Sequence, residues 1–508
     1  MTSTKMGTKM GTKPSTKMGA KKPAAAKPKA EPTAEPSSLT HMTLVEAADA
    51  VARGEISSVE LTKAAFAAFD AGNAAVNAVI ALDREEALDA AEGLDKLRKA
   101  GRRLGPLHGV PLAHKDMYYR AGRISTGGSK IRRDFRPATT ATAIARLEAA
   151  GSVTLGTLNM AEFAMNPTGH NAHFGHCHNP WAHGYCTGGS SSGSGAAVAA
   201  RVIYGALGSD TGGSIRLPAS ICGVTGIKGT QTRVSRHGAM PLSFSADNVG
   251  PLARTARDCA RLMHVIAGHD PADPTSSSEP VPDYEAGLDG DVRGLRIGIP
   301  TNYFFDGIDP EVQTAFDAAM AVLVARGAKT VRLAMPHMAA IATYGSILSR
   351  VEGASIHAEW MRERPQDYSV HLSARLYAGY AIPAVYYVEA LSRRGPILRA
   401  LGKEVFGKVD VFATPTIRKQ VPSLLATDID AGTPGAIDAF NAVSSNTRVI
   451  NYMGLPSVSV PCGFDSFGLP IGFQIQGRPF AESRILKVAD AYQRDTDWHQ
   501  RLPKVSAV

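Results

Sequence analysis

Two short stretches rich in serine and glycine could supply a nucleophile: GGSSSG at 188–193 and DTGGS at 210–214. Because glycine has no Cβ, paired glycines let backbone N–H groups approach a ligand closely. Each stretch therefore predicts a loop in which hydroxyl groups and amide donors face the same space. A serine hydroxyl is a weak nucleophile until a neighbouring base removes its proton. The sequence thus predicts a serine nucleophile site.

The residues around these stretches favour a buried site over a linker. Glycine and serine tracts are most often linkers or turns. Here an apolar helix pattern at 194–206 joins the two stretches, and apolar side chains follow the second stretch at Ile215, Leu217, Ile221 and Val224. A buried loop rich in hydroxyl groups needs hydrogen-bond partners or a function. We therefore expect both loops to lie inside the core.

The same residues carry a family resemblance. GVPLAHKD at 109–116, GGSSSGSGAAVAA at 188–200 and ALGSDTGGSIRLPASICGVTGIKGT at 206–230 closely resemble the amidase signature family. The resemblance is dense over about 105–260 and resumes at 448–499. It implies hydrolysis of a carboxylic amide, or of a related C–N bond, through an acyl-enzyme.

The resemblance implies a catalytic triad of two serines and one lysine. The family's lysine falls on Lys115, its bridging serine on Ser190 and its nucleophile on Ser214. A lysine can act as a base only when it is neutral, and burial favours the neutral form by lowering the pKa. Ser190 would pass the proton of Ser214 to Lys115. The resemblance also implies a cis peptide bond before Ser190.

The resemblance further implies an oxyanion hole, in which preorganised N–H groups stabilise charge that develops on the carbonyl oxygen. The expected donors are the backbone N–H groups of Thr211, Gly212, Gly213 and Ser214. We expect Met165 to contribute to the substrate-binding wall. Asp210 and Arg216 flank the nucleophile, and we expect them to hold the loop in place.

Two other patterns suggest different chemistry. Five histidines and two cysteines fall within 170–186: His170, His173, His176, His178, His183, Cys177 and Cys186. Their spacing fits no standard zinc pattern, and the resemblance places this loop beside the active site, so we expect neither a metal nor an organic cofactor. Residues 189–193 also satisfy G-x-S-x-G with Ser191 at the centre, but turn residues precede them instead of the strand that a nucleophile elbow requires.

Helical and strand-like patterns alternate along the chain and predict an α/β fold. A capping box at Ser57 and Glu60 starts a helix predicted at 58–71. Further helices are predicted at 83–100, 140–150, 194–206, 309–326 and 481–494. A short strand is predicted to end at Lys115, and others at 153–155, 296–300, 409–413, 455–462 and 471–475. We expect one large amidase-signature domain, with a mixed, mostly buried β-sheet covered by helices on both faces.

The first 37 residues differ from the rest. They repeat Lys-Met-Gly-Thr and contain eight lysines against two glutamates, and so carry two thirds of the formal net charge of +9. Their low apolar content predicts a disordered basic tail at 1–37. Residues 38–505 then form the amidase-signature domain, with a helical cap segment at 335–408.

Composition limits location and partners. Five cysteines are few and odd in number for 508 residues, which favours a reducing compartment, and the apolar runs are too short for a membrane span. We expect a cytoplasmic protein. Because the charge outside the tail is small, we expect a small-molecule amide as partner, no stable nucleic-acid complex and a possible homo-oligomer.

The sequence therefore predicts an amidase that uses Ser214. The alternative within the family is the glutaminase component, the A chain, of a tRNA-dependent amidotransferase. Against it, YGSILSRVEGASIHA at 344–358 does not resemble the SSNLARYDG-type segment expected in that component. An alternative of another class is a non-enzymatic protein that binds polyanions through its basic tail.

Overall fold

A computed structural model describes residues 38–504, which contain fifteen α-helices and eleven β-strands. Helices α1 to α15 span, in order, Leu44–Arg53, Ser58–Val76, Arg84–Lys99, Thr142–Ala149, Ser192–Ala199, Arg216–Cys222, Ala256–Ile266, Pro310–Ala325, Met338–Ile356, Ala358–Glu363, Val370–Tyr380, Ala384–Glu404, Ala436–Val443, Ser445–Met453 and Glu482–Gln493. Strands β1 to β11 span Val79–Leu82, Pro111–Lys115, Val153–Leu158, Gly205–Ser209, Thr225–Lys228, Val249–Ala253, Arg296–Pro300, Lys329–Leu333, Val411–Pro415, Ser457–Phe464 and Pro470–Gln476. The tail predicted at 1–37 lies outside the described residues.

The eleven strands form one mixed sheet in the order β1-β3-β2-β4-β6-β5-β10-β11-β9-β7-β8. Strands β3, β2 and β4 are parallel, as are β9, β7 and β8, and the other neighbours are antiparallel. Strands β2, β4, β5 and β6 are buried at every position. Both faces of the central sheet are therefore covered, and the predicted α/β fold class is confirmed.

Local sequence signals place several element starts correctly. The Ser57 hydroxyl accepts a hydrogen bond from the Glu60 N–H, and the Glu60 carboxylate accepts one from the Ser57 N–H. This capping box starts α2 at Ser58, as predicted, and the helix continues to Val76 before Asn77 adopts a left-handed conformation. Capping is a local interaction, so the sequence alone reveals it.

The helix predicted at 194–206 is wrong in its second half. Helix α5 ends at Ala199, Arg201 adopts a φ of 61°, and the chain then enters β4 at Gly205. An apolar run without clear periodicity fits a buried strand as well as a buried helix. Pairing with β2 on one side and β6 on the other decides in favour of the strand.

The segment predicted to be helical at 335–408 contains α9 to α12. Within the described range, no helix combines the length and the apolar content that a membrane crossing requires. All five cysteines are buried and unpaired.

Candidate active site

Lys115, the last residue of β2, is fully buried. Its Nζ lies 2.7 Å from Ser190 Oγ and 2.8 Å from Ser209 Oγ. Strands β2 and β4 run parallel, so their last residues, Lys115 and Ser209, leave the sheet at the same edge. The peptide bond between Gly189 and Ser190 is cis, as the resemblance implies. The structure thus brings two of the three predicted catalytic side chains into contact.

Ser209 is a neighbour of the lysine that the sequence analysis missed. Its N–H donates to Ser191 Oγ at 3.2 Å, and the Ser191 hydroxyl donates to the Ser209 carbonyl at 3.3 Å. Ser191, the centre of the G-x-S-x-G pattern, is fully buried and holds the backbone of Ser209 in place. The available signal was the position of Ser209 directly before Asp210 in ALGSD.

The electrostatic surroundings of Lys115 favour its neutral form. Burial lowers the pKa of Lys115 from 10.5 to about 7, although the carboxylates of Asp247 and Asp210 act in the opposite direction. In the described part of the chain, its Nζ has only the two serine hydroxyls as hydrogen-bond partners. A neutral amine at this position can accept a proton from a serine hydroxyl near neutral pH.

Ser214 lies in the loop between β4 and α6, and a buried ion pair fixes this loop. The Asp210 carboxylate accepts hydrogen bonds from the Gly213 N–H at 2.8 Å and from Arg216 Nε at 3.0 Å. Asp210 and Arg216 are both fully buried, and Arg216 also donates to side chains on α14 and β11. The pair therefore holds the nucleophile loop between the sheet and α14, as expected.

The predicted oxyanion donors divide into two groups. Gly213 has a φ of +128°, and a Cβ there would lie 2.2 Å from Thr447 Oγ1, so only glycine fits. Its N–H donates to Asp210. Among the described residues, the N–H groups of Thr211, Gly212 and Ser214 have no hydrogen-bond partner. These three groups are the donors available to a substrate oxygen.

A small cavity lies over the nucleophile. Its volume open to the centre of a water molecule is about 60 Å³, which is space for on the order of four waters. No hydrogen bond joins Ser190 to Ser214 within 38–504; catalytic hydrogen bonds are often long in a free enzyme and shorten when substrate binds. Residues from the predicted site and from the helices line the cavity together: Met165, Thr211, Gly212, Ser214, Arg350, Arg375 and Arg448.

The histidine-rich loop contributes to one group of possible metal ligands. Ligand atoms of His170, His176 and Asp428 lie within 4.8 Å of one another, and the sequence analysis did not foresee Asp428 in this group. His170 already uses both ring nitrogens, with Nδ1 2.7 Å from Thr168 Oγ1 and Nε2 3.1 Å from the Leu424 carbonyl. It would have to give up a hydrogen bond to bind an ion.

We predict that prolonged chelation with EDTA leaves the amide-hydrolysing activity unchanged, because the Lys115 and Ser190 contact supplies a base without an ion. Residual activity after dialysis and the zinc content by elemental analysis check this. Stoichiometric zinc that is lost together with activity, and restores it when added back, would contradict the prediction.

Comparison with known proteins defines the class. The family described as Amidase matches residues 60–486, so the chain belongs to the amidase family. It is 42% identical over 493 residues to the A chain of the glutamyl-tRNA(Gln) amidotransferase of Chloroflexus aggregans, an alignment that covers 92% of this chain and 99% of that relative. The predicted family is confirmed, and the chain is an enzyme that acts on amide C–N bonds.

Solved structures agree. A structure reported as an unexpected vestigial protein complex, which reveals the evolutionary origins of an s-triazine catabolic enzyme, has a TM-score of 0.84 and 33% identity, covering 89% of this chain and 98% of that one. The A chain of the glutamyl-tRNA(Gln) amidotransferase from Thermotoga maritima has a TM-score of 0.77 and 29% identity, covering 93% and 99%.

These relatives correct the predicted partners. A small-molecule amide without a stable nucleic-acid complex was expected from the low charge outside the tail. A relative matched over 99% of its length is one component of an enzyme named for glutamyl-tRNA(Gln), so that expectation is wrong. The physical reason is that net charge reports only whether one chain has a basic face of its own. It carries no information about partners that an assembly brings together.

Proposed function

We propose that this chain is the glutaminase component of an amidotransferase that acts on glutamyl-tRNA(Gln), and that it releases ammonia from an amide through an acyl-enzyme on Ser214. The name and the nearly complete alignment of the relatives support the assembly. The observation that carries the chemistry is the 2.7 Å contact between buried Lys115 and Ser190, beside the cavity that Ser214 lines.

In the proposed acylation step, neutral Lys115 takes the proton of Ser190 while Ser190 takes that of Ser214. Ser214 Oγ then forms a bond to the amide carbon, and the carbonyl electron pair moves onto oxygen. The N–H groups of Thr211, Gly212 and Ser214 stabilise that oxyanion. The intermediate collapses, the C–N bond breaks, and the lysine proton returns through Ser190 to the departing nitrogen, which leaves as ammonia.

Deacylation repeats the same sequence with water as the nucleophile. Lys115 accepts a proton of the attacking water through Ser190, the acyl carbon gains a C–O bond, and the bond to Ser214 Oγ breaks. The proton then returns to Ser214, and the product leaves as a carboxylic acid. Each cycle consumes one water and restores all three side chains.

The assembly can be tested with the complex that forms around the tagged full-length chain in its own cells. We expect this complex to convert glutamyl-tRNA(Gln) to glutaminyl-tRNA(Gln) with glutamine as the nitrogen donor. The same complex carrying Ser214→Ala should lose the glutamine-dependent reaction but retain reaction with added ammonium chloride, because only ammonia release requires the nucleophile. A Ser214→Ala complex that still uses glutamine would refute the proposal.

One observation favours a second candidate, an amidase that acts on another carboxylic amide. The segment at 344–358, which departs from the pattern expected in the amidotransferase component, supplies Ser349 and Arg350 to the cavity wall. A difference in the wall changes the acyl groups that fit. A complex that hydrolyses amides but forms no glutaminyl-tRNA(Gln) would establish this candidate instead.

A further inference from the structure

Three arginines line the cavity beside the nucleophile, and they come from three different helices. Arg350 belongs to α9, Arg375 to α11 and Arg448 to α14. Among the described residues that line the cavity, none is an aspartate or a glutamate. The wall facing a substrate at Ser214 is therefore strongly positive.

The three guanidinium groups have no counter-ion in the part of the chain that the structure describes. Arg448 donates to the Ser444 hydroxyl at 2.5 Å, and Arg375 stacks on the Phe440 ring with 5.2 Å between its guanidinium carbon and the ring centroid. Arg350 makes no side-chain hydrogen bond within 38–504. The positive charge of this cluster is thus left uncompensated by the protein.

Nearby carboxylates are already committed to other groups. The Glu352 carboxylate, two positions after Arg350, accepts hydrogen bonds from the hydroxyls of Ser243 and Tyr387. The Asp247 carboxylate accepts hydrogen bonds from the Thr211 hydroxyl and from the Leu242 N–H. Neither lines the cavity.

The arginines also destabilise one another as cations. Burial, together with the like charges of Arg448 and Arg350, lowers the pKa of Arg375 to about 9. Partly buried like charges without partners are unfavourable. A bound anion would remove that cost, and a guanidinium group matches a carboxylate with two parallel hydrogen bonds.

We propose that this cluster recognises a carboxylate at the far end of the acyl chain, so that the substrate class is the monoamide of a short dicarboxylic acid. The proposal rests on the proposed amide hydrolysis at Ser214 and adds what the cavity selects. Glutamine belongs to this class through its carboxylate. Its ammonium group finds no carboxylate on the described cavity wall, so an ammonium group is not required.

The first test compares four amides of matched length with the full-length protein: glutaramate, glutamine, neutral valeramide and cationic 4-aminobutyramide. We expect kcat/KM for glutaramate to equal or exceed that for glutamine, and to exceed that for valeramide by about 100-fold, as charged hydrogen bonds are strong. 4-Aminobutyramide should be the poorest substrate, because its ammonium group would meet three guanidinium groups.

The second test removes one charge. Arg350→Gln should raise KM for glutaramate about 10- to 100-fold while leaving kcat/KM for valeramide unchanged. Arg332→Gln, which neutralises an exposed arginine on β8 away from the cavity, is the matched control and should change neither value. Titration calorimetry of glutarate with the Ser214→Ala protein gives a readout independent of turnover, and Arg350→Gln in that background should weaken binding.

The outcomes separate this inference from the proposed function. Equal hydrolysis of valeramide and glutaramate would overturn the carboxylate site, as would good hydrolysis of glutamine with none of glutaramate, while the serine mechanism would stand. Absence of any hydrolysis, together with absence of fluorophosphonate labelling at Ser214, would refute the mechanism. Glutarate binding that depends on Arg350 would still support the anion site in that case, and glutarate binding unaffected by Arg350→Gln would contradict it.

Discussion

Ser214→Ala is expected to reduce kcat for amide hydrolysis by ~10⁴-fold or more, the scale seen when a serine hydrolase loses its nucleophile. The folded protein should hardly change. Ser214 is 8% exposed, its hydroxyl makes no hydrogen bond to another residue within 38–504, and the substitution removes one oxygen atom. Steady-state kinetics and the thermal transition midpoint, Tm, measure the two effects.

Ser220→Ala is the matched control for this loss. Ser220 lies in α6, just after the nucleophile loop, and its buried hydroxyl has no partner either, but it does not line the cavity. Its activity should therefore match that of the parent protein. Ser190→Ala should be slower by orders of magnitude yet detectable, because the nucleophile remains. Near-normal turnover by Ser214→Ala would exclude Ser214 as the nucleophile.

A rise in kcat/KM with pH, centred near the lysine pKa of about 7, is the second large effect. The active form has neutral Lys115, so below this pKa the active fraction falls about tenfold for each pH unit, and above it the activity levels off. Lys115→Met should lower kcat/KM by ~10²- to 10⁴-fold and remove this ionisation. Arginine should not restore it, because a guanidinium group stays protonated.

Lys228 provides a control with similar burial. Burial also lowers the pKa of Lys228 to about 7, but its Nζ donates only to the Gly229 carbonyl at 2.8 Å. Lys228→Met should therefore keep the parent pH profile. If Lys115→Met kept that profile, and substitution of His173 or His176 abolished it, the lysine mechanism would have to be abandoned.

Local interactions explain which parts of the fold were predictable. The capping box at Ser57 and Glu60 and the strand at 296–300 depend on neighbouring residues, and both occur where the sequence places them. Strand β4 was missed because its conformation depends on pairing with β2 and β6. The same holds for β5, whose Gly226 packs a Cβ-free backbone against Ile215 and Ala219.

The sequence by itself determined the family, the α/β class and the identity of the residues that could react, because glycine spacing and residue type are local properties. Only the tertiary structure decided what surrounds Lys115. The packing of β2 against β4 places Ser209 beside it and buries it, and burial is what lowers its pKa. The same packing engages the Gly213 N–H with Asp210.

The positive wall of the cavity likewise belongs to the tertiary structure. Arg350, Arg375 and Arg448 are far apart in the sequence, and each alone resembles an ordinary surface arginine on a helix. They meet at Ser214 because α9 packs against both α11 and α14 at the cavity. Helix packing depends on the shapes of whole side-chain surfaces, so no short motif encodes this convergence.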